Sequence, residues 1–156
     1  MADPIKTTAE ALEADACKPC GAAIHADPGA QSIEQAPLPE AIAKKPVDQK
    51  SPAEWAYQRL ILYIQNFEKT LDKEEEVAMG FTDTGAGVLK IEGLGYFDPD
   101  VVTFYGTDQT GARVQLVQHV SQLNVLLRST PKAVTAAEPR RIGFRLAEAL
   151  DEGSDT

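Results

Sequence analysis

The stretch Gln118-His119-Val120-Ser121 sets an imidazole beside an amide and a hydroxyl, between two apolar, alternating segments. A histidine at such a corner can contact a ligand, or it can be a polar group at a bend. Around it, the segment from Arg113 to Arg145 holds Arg113, Arg128, Lys132, Arg140, Arg141 and Arg145 against one acidic residue, Glu138. A cluster of that kind can hold phosphates. It can equally be a solvated rim that balances Glu74-Glu75-Glu76 and the acidic residues Glu148, Asp151, Glu152 and Asp155.

A second group is Cys17-Lys18-Pro19-Cys20. Its spacing suits half a zinc site, and His25 would add a third ligand. A closed structural site takes four ligands, and no further cysteine exists. The pair therefore reads as two reduced thiols, with a zinc shared between two chains as the alternative, and no cofactor is expected. Asp98-Pro99-Asp100 places two carboxylates close together, a pattern that serves acid–base chemistry in some sites but turn chemistry in most. Asp83-Thr84-Gly85 is the triplet of aspartic proteases, here at a hairpin. No Gly-Lys-Ser/Thr phosphate loop and no recognisable nucleophile–histidine spacing occur. The expectation is a protein that is not an enzyme.

The elements that must position these residues divide near residue 50. Residues 1–50 hold six of the ten prolines and no aromatic residue. Such a segment buries too little apolar surface to offset its ordering entropy, and a disordered Ala/Pro-rich arm is expected, with at most a short helix from Ala9 to Ala16. All the aromatic residues lie beyond it. Ser51-Pro52-Ala53-Glu54 has the form of a capping box with proline at the first helical position. Tyr57, Leu60, Ile64, Phe67 and Leu71 follow at helical spacing, with Trp55, Ile61 and Leu62 widening the same face. This predicts one amphipathic helix ending near Lys73, before an acidic run that is badly placed for the helix dipole.

Beyond the helix the period becomes two. Val77–Phe81, Val88–Phe97, Val101–Gly106, Ala112–His119 and Leu123–Arg128 read as five short antiparallel strands. Ile142-Gly143-Phe144 alternates like a short sixth. Gly93 and Gly95 imply a bulge or strong bend in the second strand. A sheet so short and bent tends to close on itself. The predicted fold is α+β and mainly β: residues 1–50 an arm, 51–146 one helix and a small five- to six-stranded antiparallel barrel of Sm-like or SH3-like kind, and 147–156 an acidic tail.

Two pieces resemble the Sm-like barrels, including the bacterial RNA chaperone Hfq. Ile91-Glu92-Gly93-Leu94-Gly95-Tyr96-Phe97-Asp98 is similar to the strand of that family in which a glycine precedes a terminal Phe-Asp, with a gap one residue shorter. Gln118-His119-Val120-Ser121 and the apolar Leu123 to Leu127 resemble its Lys-His segment and last strand. The resemblance implies a uridine pocket at His119 and rings in which the fourth and fifth strands meet across subunits. Gln118 stands where the lysine would be, and Pro99 and Asp100 where a glutamine and an aromatic would be. A stacked base would so lose a platform worth about 1–3 kcal/mol. The whole second half also resembles a family of small bacterial proteins built on a domain of unknown function, DUF6173, a likeness that supplies a family and no activity.

The formal net charge of −9 argues against general, backbone-driven nucleic-acid binding. The chain has no run of about 18 apolar residues, and its start is read as lacking a secretory leader, so a cytoplasmic, non-membrane protein is expected. The function expected is a binding or assembly module that self-associates, or takes a protein partner, through barrel edge strands; no small-molecule substrate is evident. The alternatives are an RNA-binding protein using His119, Gln118, Arg113, Arg128, Lys132, Arg140, Arg141 and Arg145, and an enzyme of unrecognised chemistry.

Overall fold

The computed structural model describes residues 21–30, 32–81 and 87–154. The expected helix at Ala9–Ala16, the pair Cys17 and Cys20, the Asp83-Thr84-Gly85 triplet and the chain end beyond Ser154 lie outside them. The chain divides between Gln49 and Lys50. In the described part of the first unit, regular structure is limited to helix α1, Glu40–Ala43, and a 3-10 turn, Val47–Gln49.

The second unit opens on helix α2, Pro52–Glu68. The Ser51 hydroxyl accepts from the Glu54 amide at 3.1 Å, and Pro52 fills the first turn, where its missing N–H is no loss. The helix stops five residues short of the expected Lys73. Its last carbonyls are claimed by local bonds: the Thr70 hydroxyl donates to the Phe67 carbonyl and the Leu71 amide to that of Glu68. The Asp72 carboxylate then accepts from the Glu74 amide, which sets the turn into the first strand.

Five strands follow: β1 Glu75–Phe81, β2 Val88–Phe97, β3 Val101–Thr107, β4 Arg113–His119 and β5 Val125–Pro131. They form one antiparallel sheet in the order β4-β3-β2-β1-β5. The register of β2 on β3 shifts between Ile91 and Gly93, a bulge that bends the strand where the glycines stand. Gly106 completes the bend, because a Cβ there would collide with the Lys90 carbonyl. The sheet is mainly-β in content and bent as expected, but it stays open. Its end strands β4 and β5 are not paired with each other, because helices rather than further strands cover the concave face.

That inner face carries Val77, Met79, Phe81, Leu89, Ile91, Val102 and Phe104, packed against Leu60, Ile61 and Ile64 of α2. Phe81 and Phe104 meet edge to face, ring centroids 4.8 Å apart, and Tyr57 of α2 meets Tyr96 of β2 at 5.0 Å. Trp55 does not join this cluster; its ring lies under the Lys50 ammonium, 4.4 Å from the centroid.

The expected sixth strand is absent. Ile142 opens helix α3, Ile142–Ser154, so what read as an acidic tail from residue 147 is the second half of a helix. Ile142 and Leu146 join the core cluster. The start of α3 is fixed by a residue 75 positions away: Glu68, at the end of α2, accepts from the Gly143 amide at 2.7 Å. A carboxylate suits a helix N-terminus, where free amides and the dipole favour negative charge. Glu68 is buried, and that desolvation pushes its carboxyl above the ordinary range, against the opposing pull of the Gly143 and Ile142 amides and Arg141. Three-residue alternation in Ile142-Gly143-Phe144 could not reveal this, since the deciding partner lies on another helix.

Gly143→Ala places a methyl group against Glu68 Oε1 and the Gln65 backbone, and should unseat the first turn of α3, costing roughly 1–3 kcal/mol in urea unfolding. A second measurement reads the carboxyl. Its folded-state pKa is raised, so its contribution to stability is full below the unfolded value and is lost as pH rises through the folded one. Wild type should therefore lose stability relative to Glu68→Gln as pH rises from the acid range towards neutrality, seen as a falling difference in urea midpoint.

Candidate functional site

The pleat gives the sheet a second face. With Val77, Met79 and Phe81 turned inward, Glu76, Ala78 and Gly80 of β1 turn outward. The registers extend that face across the sheet. Ala78 pairs with Arg128, Lys90 with Thr107 and Thr107 with Arg113. The β1–β2 register, Met79 with Leu89 and Gly80 with Val88, carries Lys90 alongside Ala78. One transverse row therefore reads Arg128, Ala78, Lys90, Thr107, Arg113, with a cation on every second strand. Alternate strands are about 10 Å apart, so the three charges are spread rather than crowded.

Further along the same face stand Gly93, Gly95 and Phe97 of β2, Thr103 and Tyr105 of β3, and Gln115, Val117 and His119 of β4. Phe97 is 76% exposed, Val117 61% and Tyr105 43%. No described helix covers this face. The side chains of Arg113 and Arg128 make no hydrogen bond or ion pair among the described residues.

The remaining residues singled out in the sequence do not gather here. His119 sits at the end of β4 and caps the 3-10 turn Val120–Gln122. Its Nδ1 accepts from the Ser121 amide at 3.1 Å and lies 2.7 Å from the Ser121 hydroxyl. The ring proton then belongs on Nε2, which donates to Asp100 Oδ2 at 3.0 Å. The Gln122 side chain accepts in return from the His119 amide. Both ring nitrogens are thus engaged within the chain, although the ring edge is exposed. Gln118 points to the inner face and is buried, its Oε1 without a partner among the described residues.

Lys132, Arg140 and Arg141 act as straps. Lys132 Nζ lies 3.5 Å from Glu74 Oε2 and donates to the Ala136 carbonyl. The Arg140 amide donates to Glu76 Oε1 and its guanidinium to Glu92 Oε1. Arg141 donates to the carbonyls of Glu75 and Asp72. Of the three cations, Lys132 meets the acidic run at Glu74, Arg141 binds the backbone carbonyls before and within it, and Arg140 reaches Glu92 of β2. Arg145 stands exposed on α3 beside Arg140 and Arg141. The basic segment is therefore split between two places: Arg113 and Arg128 on the outer sheet face, and Lys132, Arg140, Arg141 and Arg145 at or near the β1–α3 seam.

Sequence reasoning passed over Lys90, Phe97 and Tyr105 as members of a face. The alternation within each strand was legible; the bulge between Ile91 and Gly93 that brings Phe97 onto the face of Lys90, and the register that aligns Lys90 with Arg113 and Arg128, were not. Of the three proposed zinc ligands only His25 lies within the described residues, and no group of three or more metal-ligating side chains occurs among those residues. No helix among them is long and apolar enough to cross a membrane.

The capping role of His119 is measurable. His119→Ala removes the side-chain acceptor for the Ser121 amide and the donor to Asp100, and should cost about 1 kcal/mol in denaturant unfolding, the usual cost of a lost cap. Loss of less than a few tenths would place the ring outside the fold's support.

Comparisons with the curated proteins and with the solved structures found no match. The family models found one: residues 45–145, which include β1 to β5, the three straps and the start of α3, match the model of a family of unknown function, DUF6173. The matched segment is most of the chain and contains the whole outer face, and the chain belongs to that family.

Proposed function

We propose that the domain is a non-enzymatic assembly module that joins copies of itself by pairing β4 of one molecule with β5 of the next. The supporting observation is the pair of bare edges. Both edge strands are seven residues long, and each presents a row of backbone donors and acceptors with no partner on its outer side among the described residues. Natural sheets blunt such edges with charge, proline or a covering loop. Here each edge carries a single charge, Arg113 at the start of β4 and Arg128 in the middle of β5, beside exposed apolar side chains, Val117 on β4 and Leu126 on β5; proline comes only at the end of β5, at Pro131. A β4–β5 contact is head-to-tail, so it generates a ring where the rotation closes and a filament where it does not.

A second reading has its own support. Phe97 and Tyr105 stand exposed beside the backbone of Gly93 and Gly95, with Arg113 on the same face. Aromatic rings on an open sheet with a nearby guanidinium suit stacked bases of single-stranded RNA. The net charge of −9 weighs against it, which is why assembly is preferred.

Light scattering should give a mass several times that of one chain. Leu126→Lys and Val117→Lys, which keep the side-chain stems and charge the edges, should each shift the mass to that of a monomer while far-UV circular dichroism stays unchanged. A monomeric wild type contradicts assembly. Oligouridine binding that weakens steeply with salt and is lost in Tyr105→Ala would favour the RNA reading.

A further inference from the structure

The outer face has a hollow of about 430 Å³ at the end where β1, β2 and β5 run together. Its floor is Ala78, 1% exposed. Arg128 and Lys90 flank that floor on either side, Thr130 and Thr107 stand next to them, and the β3–β4 turn forms a rim with Gln109. The hollow exists because β1 spends its outward positions on small residues, Ala78 and Gly80, between longer side chains on both neighbouring strands. A volume of this order is that of an ordinary small-molecule site.

We propose that this hollow binds a small organic oxyanion, a phosphorylated or carboxylated metabolite, with Arg128 as the principal anchor and Lys90 opposite it. The lining sets two cations, Arg128 and Lys90, against one carboxylate, Asp108 on the rim. Arg128 offers a planar fork that matches a carboxylate or phosphate edge, and it has no hydrogen-bond or ion-pair partner among the described residues that a ligand would have to displace. Lys90 supplies a second positive charge across the floor. Thr107, Thr130 and Gln109 add neutral donors at the sides.

The acidic groups nearby are committed elsewhere. Asp108, on the rim, accepts from the Thr110 hydroxyl and amide and from the Ala112 amide; the Thr110 hydroxyl, followed by these amides, holds its carboxyl below the ordinary range. Glu76 lies 4.0 Å from Lys90 Nζ, a loose contact, while its other oxygen accepts from the Arg140 amide at 2.7 Å. Glu76 therefore tethers Lys90 to the face without closing the hollow between Lys90 and Arg128. The proposal does not rest on self-association: one molecule holds every lining group.

The test is a titration of the full chain with inorganic phosphate and, separately, with succinate at low ionic strength, followed by amide chemical shifts. Saturable shifts centred on Ala78, Lys90, Thr107 and Arg128 are expected with at least one of the two probes, and which probe binds tells a phosphate ester from a carboxylate. Arg128→Ala and Lys90→Ala should each weaken binding by about tenfold or more, as loss of a charge-assisted contact does. Arg128→Lys should recover part of it, and Arg145→Ala, which changes an exposed arginine on α3, should leave it unchanged. Both flanking residues are on the solvent side of the sheet, so dispersed spectra of the variants check folding within the same experiment. The proposal is overturned if neither probe gives saturable shifts, if the shifts survive both alanine variants, or if oligouridine alone binds at these residues.

Discussion

The corner Asp98-Pro99-Asp100 holds together three parts of the fold that are far apart in sequence. Asp98 accepts from the Ser51 hydroxyl, the same hydroxyl that caps α2. The Pro99 carbonyl accepts from the Ala53 amide, one of the donors that a helix start leaves unused. Asp100 accepts from His119 Nε2 through its side chain and from the Val120 amide through its carbonyl. A three-residue turn thus fixes where the helix begins, where β2 turns into β3 and where β4 gives way to β5. The position of α2 over the inner face follows from this corner at one end and from the Glu68–Gly143 contact at the other. Two carboxylates that could have suggested catalysis are structural acceptors, each with a named donor.

With the inner face closed by α2 and α3, what the described residues of the second unit leave accessible is the outer face and two edges. The edges supply backbone groups, the upper part of the face supplies Phe97 and Tyr105, and the lower part supplies Lys90 and Arg128 around a small-residue floor. The straps from Lys132, Arg140 and Arg141 explain how an acidic chain holds such a local run of cations: three of the six are engaged with Glu74, Glu92 and backbone carbonyls, and Arg113, Arg128 and Arg145 have no side-chain partner among the described residues.

Much of the fold was legible because its signals are local. The Ser51 cap, the helical spacing from Tyr57 to Leu71 and the alternation of Val88–Phe97 each depend on neighbours within a few residues, and the observed β2 has the expected bounds. The errors fall where a distant group decides. Ile142-Gly143-Phe144 reads as a strand until Glu68 is seen to cap it as a helix start. Closure of the barrel was expected from strands that are short and bent, without weighing that two helices bury the inner face. The candidate site was legible residue by residue, in Arg113, Arg128 and His119, but its composition depends on register. One residue of slip in β1 on β5 would move Arg128 to the core face, so no reading of the sequence alone could place it beside Ala78 and Lys90.

Among the described residues the domain is a sheet sealed on one face and open at two edges, and the proposed contact between copies is made at those edges. Amide hydrogen exchange of the full chain at low and high protein concentration tests this most directly. The account predicts that β2 and β3 are strongly protected at both concentrations, while amides of β4 and β5 gain protection as concentration rises. Protection of β4 and β5 that is the same at both concentrations would contradict it.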